Sequence, residues 1–407
     1  MELGPILSSL RRNKVGATLI ALQIALTLAV LSNALFIVAQ QTAMSRAPTG
    51  IADESSVFFI SNQWIGGDED LAARAQADLA NLRALPQVAD VSLSPAQPLG
   101  GRGMGMDITL HPEKRRSGVL TALYPVDDHA VNTLGLRLIA GRNFRPEEIL
   151  ISHGFSENYP TWGSVVVTRE VARALDPSGN VLGRTATFSP GKVTATIVGV
   201  VDQLASGRFG GDSAGAERGV LAPLLWAGVN GYYVVRAKPG QVEAAMTAAR
   251  NELYKTSRQR TIASVQTLAD ARLEFYRGAR GEALLMSLIC AILLGVTAFG
   301  IIGLTSYWVS QRRRHIGIRR ALGATAGSIL RYFQTENLLI AGAGSVLGVG
   351  LGIAANLWLL RSVAMERLPP VYLIVGTIVV LILGQISVLW PALRAAGVPP
   401  AIAARSA

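Results

Sequence analysis

The chain has 407 residues, 38 basic against 27 acidic side chains and a formal net charge of +11; half of its residues are hydrophobic and only 16% are charged. With a mean hydropathy of +0.36, this composition excludes a disordered chain and argues against an ordinary soluble domain, in which about a quarter of the residues are charged. A single cysteine, Cys290, excludes a disulfide framework, zinc sites built from several cysteines and CxxC redox chemistry.

Residues 1–14 carry Arg11, Arg12 and Lys14 against Glu2 and form a basic N-terminal segment. From Val15 to Gln40 there is no charged residue. That run exceeds the roughly 20 residues an α-helix needs to cross a hydrocarbon core, and it is about twice a signal-peptide apolar run, so 15–40 reads as a retained first transmembrane helix. Residues 41–282 are long enough for one or two folded units. Near its start, VFFISNQW (Val57 to Trp64) is strand-like, LAARAQADLANLRAL (Leu71 to Leu85) has helical spacing, and VADVSLS (Val88 to Ser94) is a second strand. The pattern recurs near its end as GYYVVRAK (Gly231 to Lys238), QVEAAMTAARNELYK (Gln241 to Lys255) and TIASVQ (Thr261 to Gln266). Two β-α-β units, 57–94 and 231–266, therefore flank a Gly- and turn-rich insert. Within the insert, SVVVTREVARAL (Ser164 to Leu175) and VTATIVGVV (Val193 to Val201) read as short strands. Residues 267–282 read as a helical stalk leading into the next span.

Three further charge-free stretches follow: Ala283 to Gln311, Leu338 to Leu360 and Val371 to Leu393. They are separated by 312–337, by the short connection 361–370, and followed by the tail 394–407. The fold class read from the sequence is thus four transmembrane α-helices with a large α+β domain inserted between helices 1 and 2. In the third span Gly344, Gly348 and Gly352 recur at i, i+4 on one helical face, a spacing that lets a second helix approach closely and marks a packing face. Gln23, Asn33, Asn356 and Gln385 are the notable polar residues of the spans. The absence of Asp, Glu, Lys and Arg from all four argues against an ion-coupled carrier.

The charge has an address. Segments 1–14, 312–337 and 394–407 carry +2, +5 and +2, whereas 41–282 and 361–370 carry +1 each. Positive-inside logic places both termini and 312–337 in the cytoplasm and the large domain outside. It leaves no basic surface for nucleic acid. Gly-Lys occurs once, at Gly191-Lys192, and is followed by Val193, so no phosphate-cradling G-x-x-x-x-G-K-[ST] loop is present. GGRGMGMD (Gly100 to Asp107) reads as a flexible loop. His111, His129, His153 and His315 are isolated in sequence, and no G-x-S-x-G occurs. No catalytic, cofactor-binding or metal-binding residue is assigned. The richest stretch is QRRRHIGIRRALGATAGSILRYFQTEN, where Ile316, Ile318, Leu322, Ile329, Leu330 and Phe333 are interleaved with the charges. Such an amphipathic segment suits docking to a soluble partner.

The chain resembles the MacB/FtsX-like permease family, the membrane subunits of type VII ABC transporters. The sharpest motif is RRRHIGIRRALGAT, Arg312 to Thr325, with His315 where the family usually has an acidic or amide residue. The tail PALRAAGVPPAIAAR (Pro391 to Arg405) resembles the family ending, with Pro399, Ile402 and Ala404 as departures. LGLRLIAGRNF (Leu134 to Phe144), VLGRTATF and TIVGVV resemble landmarks of the family's periplasmic core. The resemblance implies a multi-pass inner-membrane subunit that is itself non-catalytic and binds no cofactor, ATP and Mg²⁺ residing on a separately encoded ABC ATPase. It implies that Arg312, Arg313, Arg314, His315, Ile316, Gly317, Ile318, Arg319, Arg320, Ala321, Leu322, Gly323 and Ala324 couple to that ATPase. It also implies a second permease chain, identical or similar, and, for export, a periplasmic adaptor and an outer-membrane channel. Two readings follow: efflux of a substrate by mechanical rearrangement of the periplasmic domain, or regulation of a periplasmic partner such as a cell-wall hydrolase.

Overall fold

A computed structural model describes residues 14–66, 70–99, 104–113, 118–153, 162–189, 193–205, 217–313, 316–318, 324–363 and 367–396. The chain divides into two units: one is residues 44–278, and the other is made of residues up to 43 and from 279 onward.

In the second of these, helix α1 (Lys14–Arg46) is the first span. The larger unit then begins with β1 (Val57–Trp64), α2 (Leu71–Arg83) and β2 (Val88–Ser94). The insert supplies β3 (Met104–Thr109), β4 (Val119–Val126), α3 (Ala130–Leu134), β5 (Leu138–Gly141) and β6 (Leu150–Ser152). It continues with β7 (Ser164–Thr168), α4 (Arg169–Leu175), β8 (Thr185–Ser189), β9 (Val193–Val201) and β10 (Gly219–Trp226). The unit closes with β11 (Asn230–Ala237), α5 (Val242–Thr256), β12 (Arg260–Thr267) and α6 (Leu268–Phe275).

The two β-α-β units interleave in one sheet of order β12-β1-β11-β2, with every neighbouring pair antiparallel. Each unit's two strands run parallel but are separated by a strand of the other unit, which is the split β-α-β arrangement. Alternation of side chains across a strand explains why VFF and YYVV are apolar throughout. Phe58, Ile60, Tyr233 and Val235 face helices α2 and α5, whereas Val57, Phe59 and Val234 face a second core shared with the insert. Helix α2 starts where the Asp70 carboxylate accepts from the Ala72 and Ala73 N–H groups at 3.0 and 3.1 Å. Its buried face includes Asp78, which is taken up below.

The insert closes a six-stranded ring, β4-β3-β8-β9-β7-β10, completed by parallel pairing of β10 with β4. Ile108, Leu123, Val165, Val167, Phe188, Ile197 and Val220 fill a single buried core, and Trp162 meets Phe188 edge-on at 5.7 Å. A small barrel of this kind is filled by side chains rather than left hollow. Where β5 joins β9, Gly141 pairs with Gly199. A Cβ on Gly141 would lie 2.2 Å from the Val198 carbonyl oxygen, and one on Gly199 would lie 2.3 Å from that of Arg142. The glycines of LIAGRNF and TIVGVV are thus two sides of one backbone contact.

Two local readings are corrected. In SVVVTREVARAL only the first five residues are strand; Thr168 caps a helix from Arg169. In GGRGMGMD the second half is strand β3, and Gly100 to Gly103 lie outside the described residues. Residues 267–282 are helical in two pieces: a capping box of Thr267 and Asp270 starts α6, which ends at Phe275, and the next helix begins at Arg277.

In the helical unit, α7 (Arg277–Gln311), α8 (Ala326–Val363) and α9 (Pro370–Ala396) join α1. Each is longer than the roughly 20 residues a bilayer core demands. The apolar stretch of α1 is 61% buried within the protein, against 17% for α7, so α1 is the hub of the bundle. The glycine face of α8 lies against it: a Cβ on Gly344 would be 2.7 Å from the Ala21 carbonyl oxygen and one on Gly348 2.9 Å from that of Ala25. Gly352 faces Ala29 and Leu373. Hydrogen bonds add direction, with Asn33 Nδ2 donating to the Gly352 carbonyl at 3.2 Å and the Thr27 and Thr297 hydroxyls 2.8 Å apart.

Candidate coupling site

The helix of the second span does not stop where its charge-free run ends. The Arg312 N–H bonds to the Trp308 carbonyl at 3.1 Å and the Ile316 N–H to the Arg312 carbonyl at 2.9 Å, so helical geometry carries the motif beyond α7. On the far side, Thr325 caps α8: its hydroxyl accepts from the Ser328 N–H at 3.2 Å. Helix α8 therefore begins twelve residues before the charge-free run that starts at Leu338, and the segment between the second and third runs, 312–337, is partly helix.

Between these ends the predicted coupling residues divide. Ile316 and Gly317 are buried, Ile316 in one cluster with Trp308, Ile329 and Phe333. Arg313 is exposed, Ile318 is 51% exposed, and Ala324 is half-buried. Arg312 is turned into the protein, where one guanidinium nitrogen lies 3.2 and 3.1 Å from the two carboxylate oxygens of Glu336. Arg314, His315, Arg319, Arg320, Ala321, Leu322 and Gly323 lie outside the described residues. Sequence reasoning missed Glu336. Its one signal was that it is the sole acid in the arginine-rich stretch 312–337.

The larger unit holds a second concentration of polar contacts, at residues 47–56, where the chain enters it. Two guanidinium contacts from Arg272 on α6 reach the Glu54 carboxylate at 3.1 and 3.0 Å, Arg272 also donates to the Ala47 carbonyl, and the Thr49 hydroxyl donates to Glu54 at 2.6 Å. Arg236 on β11 donates to Thr133 O, Ser56 Oγ and Ala52 O at 2.8, 2.9 and 2.8 Å. Burial pulls the Arg236 pKa down, and the Asp53 and Asp90 carboxylates oppose that shift. From the barrel side, Gln203 Nε2 donates to Pro48 O at 3.0 Å and the Ala205 N–H to Thr49 O at 2.8 Å. A third cluster is sealed from water. Arg260 and Asp78 are both 0% exposed and paired through two contacts of 2.7 and 3.0 Å, with the Tyr233 hydroxyl donating to Asp78. The Arg260 guanidinium stacks on Trp64 at 4.0 Å.

Among the described residues no group of three or more His, Cys, Asp and Glu side chains is placed to hold a metal ion. His129 sits 2.7 Å from Asp90 and His111 3.3 Å from Glu113, each as a pair with one carboxylate.

Comparison with known proteins gives two family matches. The MacB-like periplasmic core domain matches residues 20–252, and the FtsX-like permease C-terminal domain matches residues 287–400. A macrolide export ATP-binding/permease protein MacB of Rhodospirillum rubrum is 27% identical over 334 residues, covering 72% of this chain and 50% of that protein. Its counterpart from Chromobacterium violaceum is 28% identical over 225 residues, 54% of this chain and 33% of the relative. The uncharacterized ABC transporter permease YvrN of Bacillus subtilis is 27% identical over 299 residues, 70% of this chain and 69% of its own length. The chain thus spans a third to a half of those two MacB relatives. Among solved structures, the periplasmic region of MacB from Actinobacillus actinomycetemcomitans is 14% identical with a TM-score of 0.34, covering 55% of this chain and 94% of that one. The extracellular domain of the transporter YknZ from Gram-positive bacteria is 14% identical with a TM-score of 0.32, covering 51% of this chain and all of the other. With one family domain running over more than half of the sequence and a second over its last three spans, the chain belongs to the MacB/FtsX-like permeases of ABC transporters, as a membrane protein with a periplasmic core domain.

Proposed function

We propose that this chain is the permease subunit of a MacB-like ABC transporter, in which a separate ATPase drives rearrangement of the periplasmic domain and extrusion of a substrate. The observation that carries the proposal is the segment from Arg312 to Thr325. It is rooted in two spans, turns Ile316 inward, and offers Arg313 and Ile318 outward, which is what a helix docking into a soluble partner's groove requires. In this reading ATP and Mg²⁺ are held by that ATPase. In this reading two permease chains and two ATPases assemble in the inner membrane with both termini of the permease cytoplasmic. A periplasmic adaptor and an outer-membrane channel complete the export path. The large periplasmic unit favours export over regulation of a cell-wall hydrolase, because it offers a body to be moved rather than a short tether.

The test is co-purification of the permease with ABC ATPases expressed from the same cells. Ile318→Asp, and reversal of Arg319 and Arg320 to Glu, are expected to abolish recovery of the ATPase while leaving the permease folded. Undiminished recovery and ATP turnover in both variants would overturn the contact. Altered cell-wall cleavage on deletion, with no change in the accumulation of any exported compound, would overturn export.

A further inference from the structure

Arg312 was expected to face the motor, and the structure gives it another occupation. Glu336 lies ten residues into α8 and is 2% exposed, while Arg312 keeps 20% of its side chain in contact with the outside. One helical turn beyond Arg312, Ile316 is buried in the cluster that holds Ile329 and Phe333. The facing positions are therefore Arg312 and Ile316 at i, i+4 on one helix, and Ile329, Phe333 and Glu336 at i, i+4, i+7 on the other. An ionic contact and an apolar one, a turn apart, fix the segment at two points, which sets its rotation as well as its position.

We infer that Glu336 is a positioning residue for the coupling segment: by holding Arg312 it determines the direction in which Arg313 and Ile318 are presented, without touching the ATPase itself. The physical case rests on the burial of a carboxylate in an apolar helix. Such a group is tolerated when a countercharge sits at one defined place, so the acid specifies where the arginine, and the chain attached to it, must be. Neither an apolar residue nor a glutamine at position 336 would impose that requirement. The inference deepens the proposed role of Arg312 to Thr325 as an ATPase contact and rests on it for its functional consequence.

The experiment uses the full-length permease in lipid nanodiscs, with Cys290, its one native cysteine, replaced by serine. Spin labels go on the exposed positions Ile318 and Val346, and the distance distribution between them is read by pulsed electron resonance. Unlabelled protein with its ATPase is assayed in parallel for ATP turnover. Glu336→Gln is expected to broaden the distance distribution and to lower permease-stimulated turnover severalfold, with recovery of bound ATPase little changed. The exchanged pair R312E/E336R restores both readouts. A role confined to stability would lower the melting temperature and leave the distance distribution of the folded fraction narrow, which overturns the inference. So does an exchanged pair that behaves like Glu336→Gln. Should Glu336→Gln fail to fold, the exchanged pair decides alone: a narrow distribution supports positioning, and a broad one or a second failure to fold overturns it. If the unmutated permease neither binds nor stimulates an ATPase, the coupling role falls while the distance measurement still decides whether Glu336 positions the segment.

Discussion

Replacing Gly348 by alanine isolates the helix packing that the bundle is built on. A Cβ there would lie 2.9 Å from the Ala25 carbonyl oxygen, 2.9 Å from Leu28 Cβ and 3.0 Å from Ala25 Cα. Carbon atoms rest at roughly 3.5–4.0 Å, and two of these three neighbours are backbone, so the strain is relieved only by parting α1 from α8. Overpacking of this kind costs about 1–3 kcal/mol. Gly350, two residues along the same helix, has nothing within 4 Å of the equivalent Cβ. There the same substitution removes only the helix penalty of glycine, a gain of up to about 1 kcal/mol. The backbone effect is common to both sites, so Gly348→Ala should be less stable than Gly350→Ala by roughly 1–3 kcal/mol, a factor of about 5 to 150 in the unfolding equilibrium. Gly352→Ala should fall between them, because its nearest contact, at 3.2 Å, is the movable end of Leu373. Reversible unfolding of the purified full chain in mixed micelles, titrated with denaturing detergent, measures the order. Equal stabilities at positions 348 and 350 would refute the reasoning that α1 and α8 pack through this face.

Two further outcomes are expected in the periplasmic unit. Asp78→Asn leaves Arg260 buried without its countercharge and should cost about 3–5 kcal/mol, whereas the apolar pair D78L/R260M should come near to neutral; denaturant unfolding followed by circular dichroism separates the two, and equal losses would count against a charge-based cost. For Glu148, the hydrogen bond from Arg142 is the main cause of a carboxyl pKa lowered to about 2 from an ordinary 4.5. A depressed folded-state pKa stabilises above the unfolded value, and that stabilisation is lost as pH falls from 4.5 towards 2. Arg142→Met should flatten the acid side of the stability profile in this window, and a variant profile parallel to that of the parent would sink the assignment.

Elements whose information is local were readable in the sequence. Strand β1 announces itself in VFFISNQW, helix α2 in its spacing, and the α8 packing face in a glycine period of four. Pairings between distant segments were not. The order β12-β1-β11-β2 sets Phe58 beside Thr267 and Tyr232 beside Ser94, and neither alternation nor turn residues encode which strand of one unit enters the other. The barrel depends on β10 meeting β4 about a hundred residues away in sequence, through register that no motif states. Local misreadings had local causes. The valines of SVVVTREVARAL hid the cap at Thr168, and the charged residues Arg331 and Glu336 left the first turns of α8 outside the charge-free run. Of the coupling site, the amphipathic character was visible, but which side of it turns inward was not, because Arg312 and Arg313 are chemically identical and only a partner 24 residues away distinguishes them.

The strand order has a mechanical consequence. Antiparallel pairing of β1 with β12 brings the point where the chain enters the periplasmic unit, just before Val57, next to the point where it leaves, just after Thr267. The insert departs from Ser94 and returns at Asn230, next to Gln63 at the opposite end of β1. Entry and exit are then joined a second time outside the sheet, by the Arg272 contacts to Glu54 and Ala47. The β1–β12 ladder and the Arg272 clasp thus hold the incoming and outgoing segments of the unit together at one corner. Since Arg236, Gln203 and Ala205 tie the same entry segment to both the sheet and the barrel, a displacement of that corner reaches both lobes at once. Within the periplasmic unit, the polar contacts of 47–56 and the apolar core around Ile51, Val57, Leu204 and Leu268 together join this corner to both lobes.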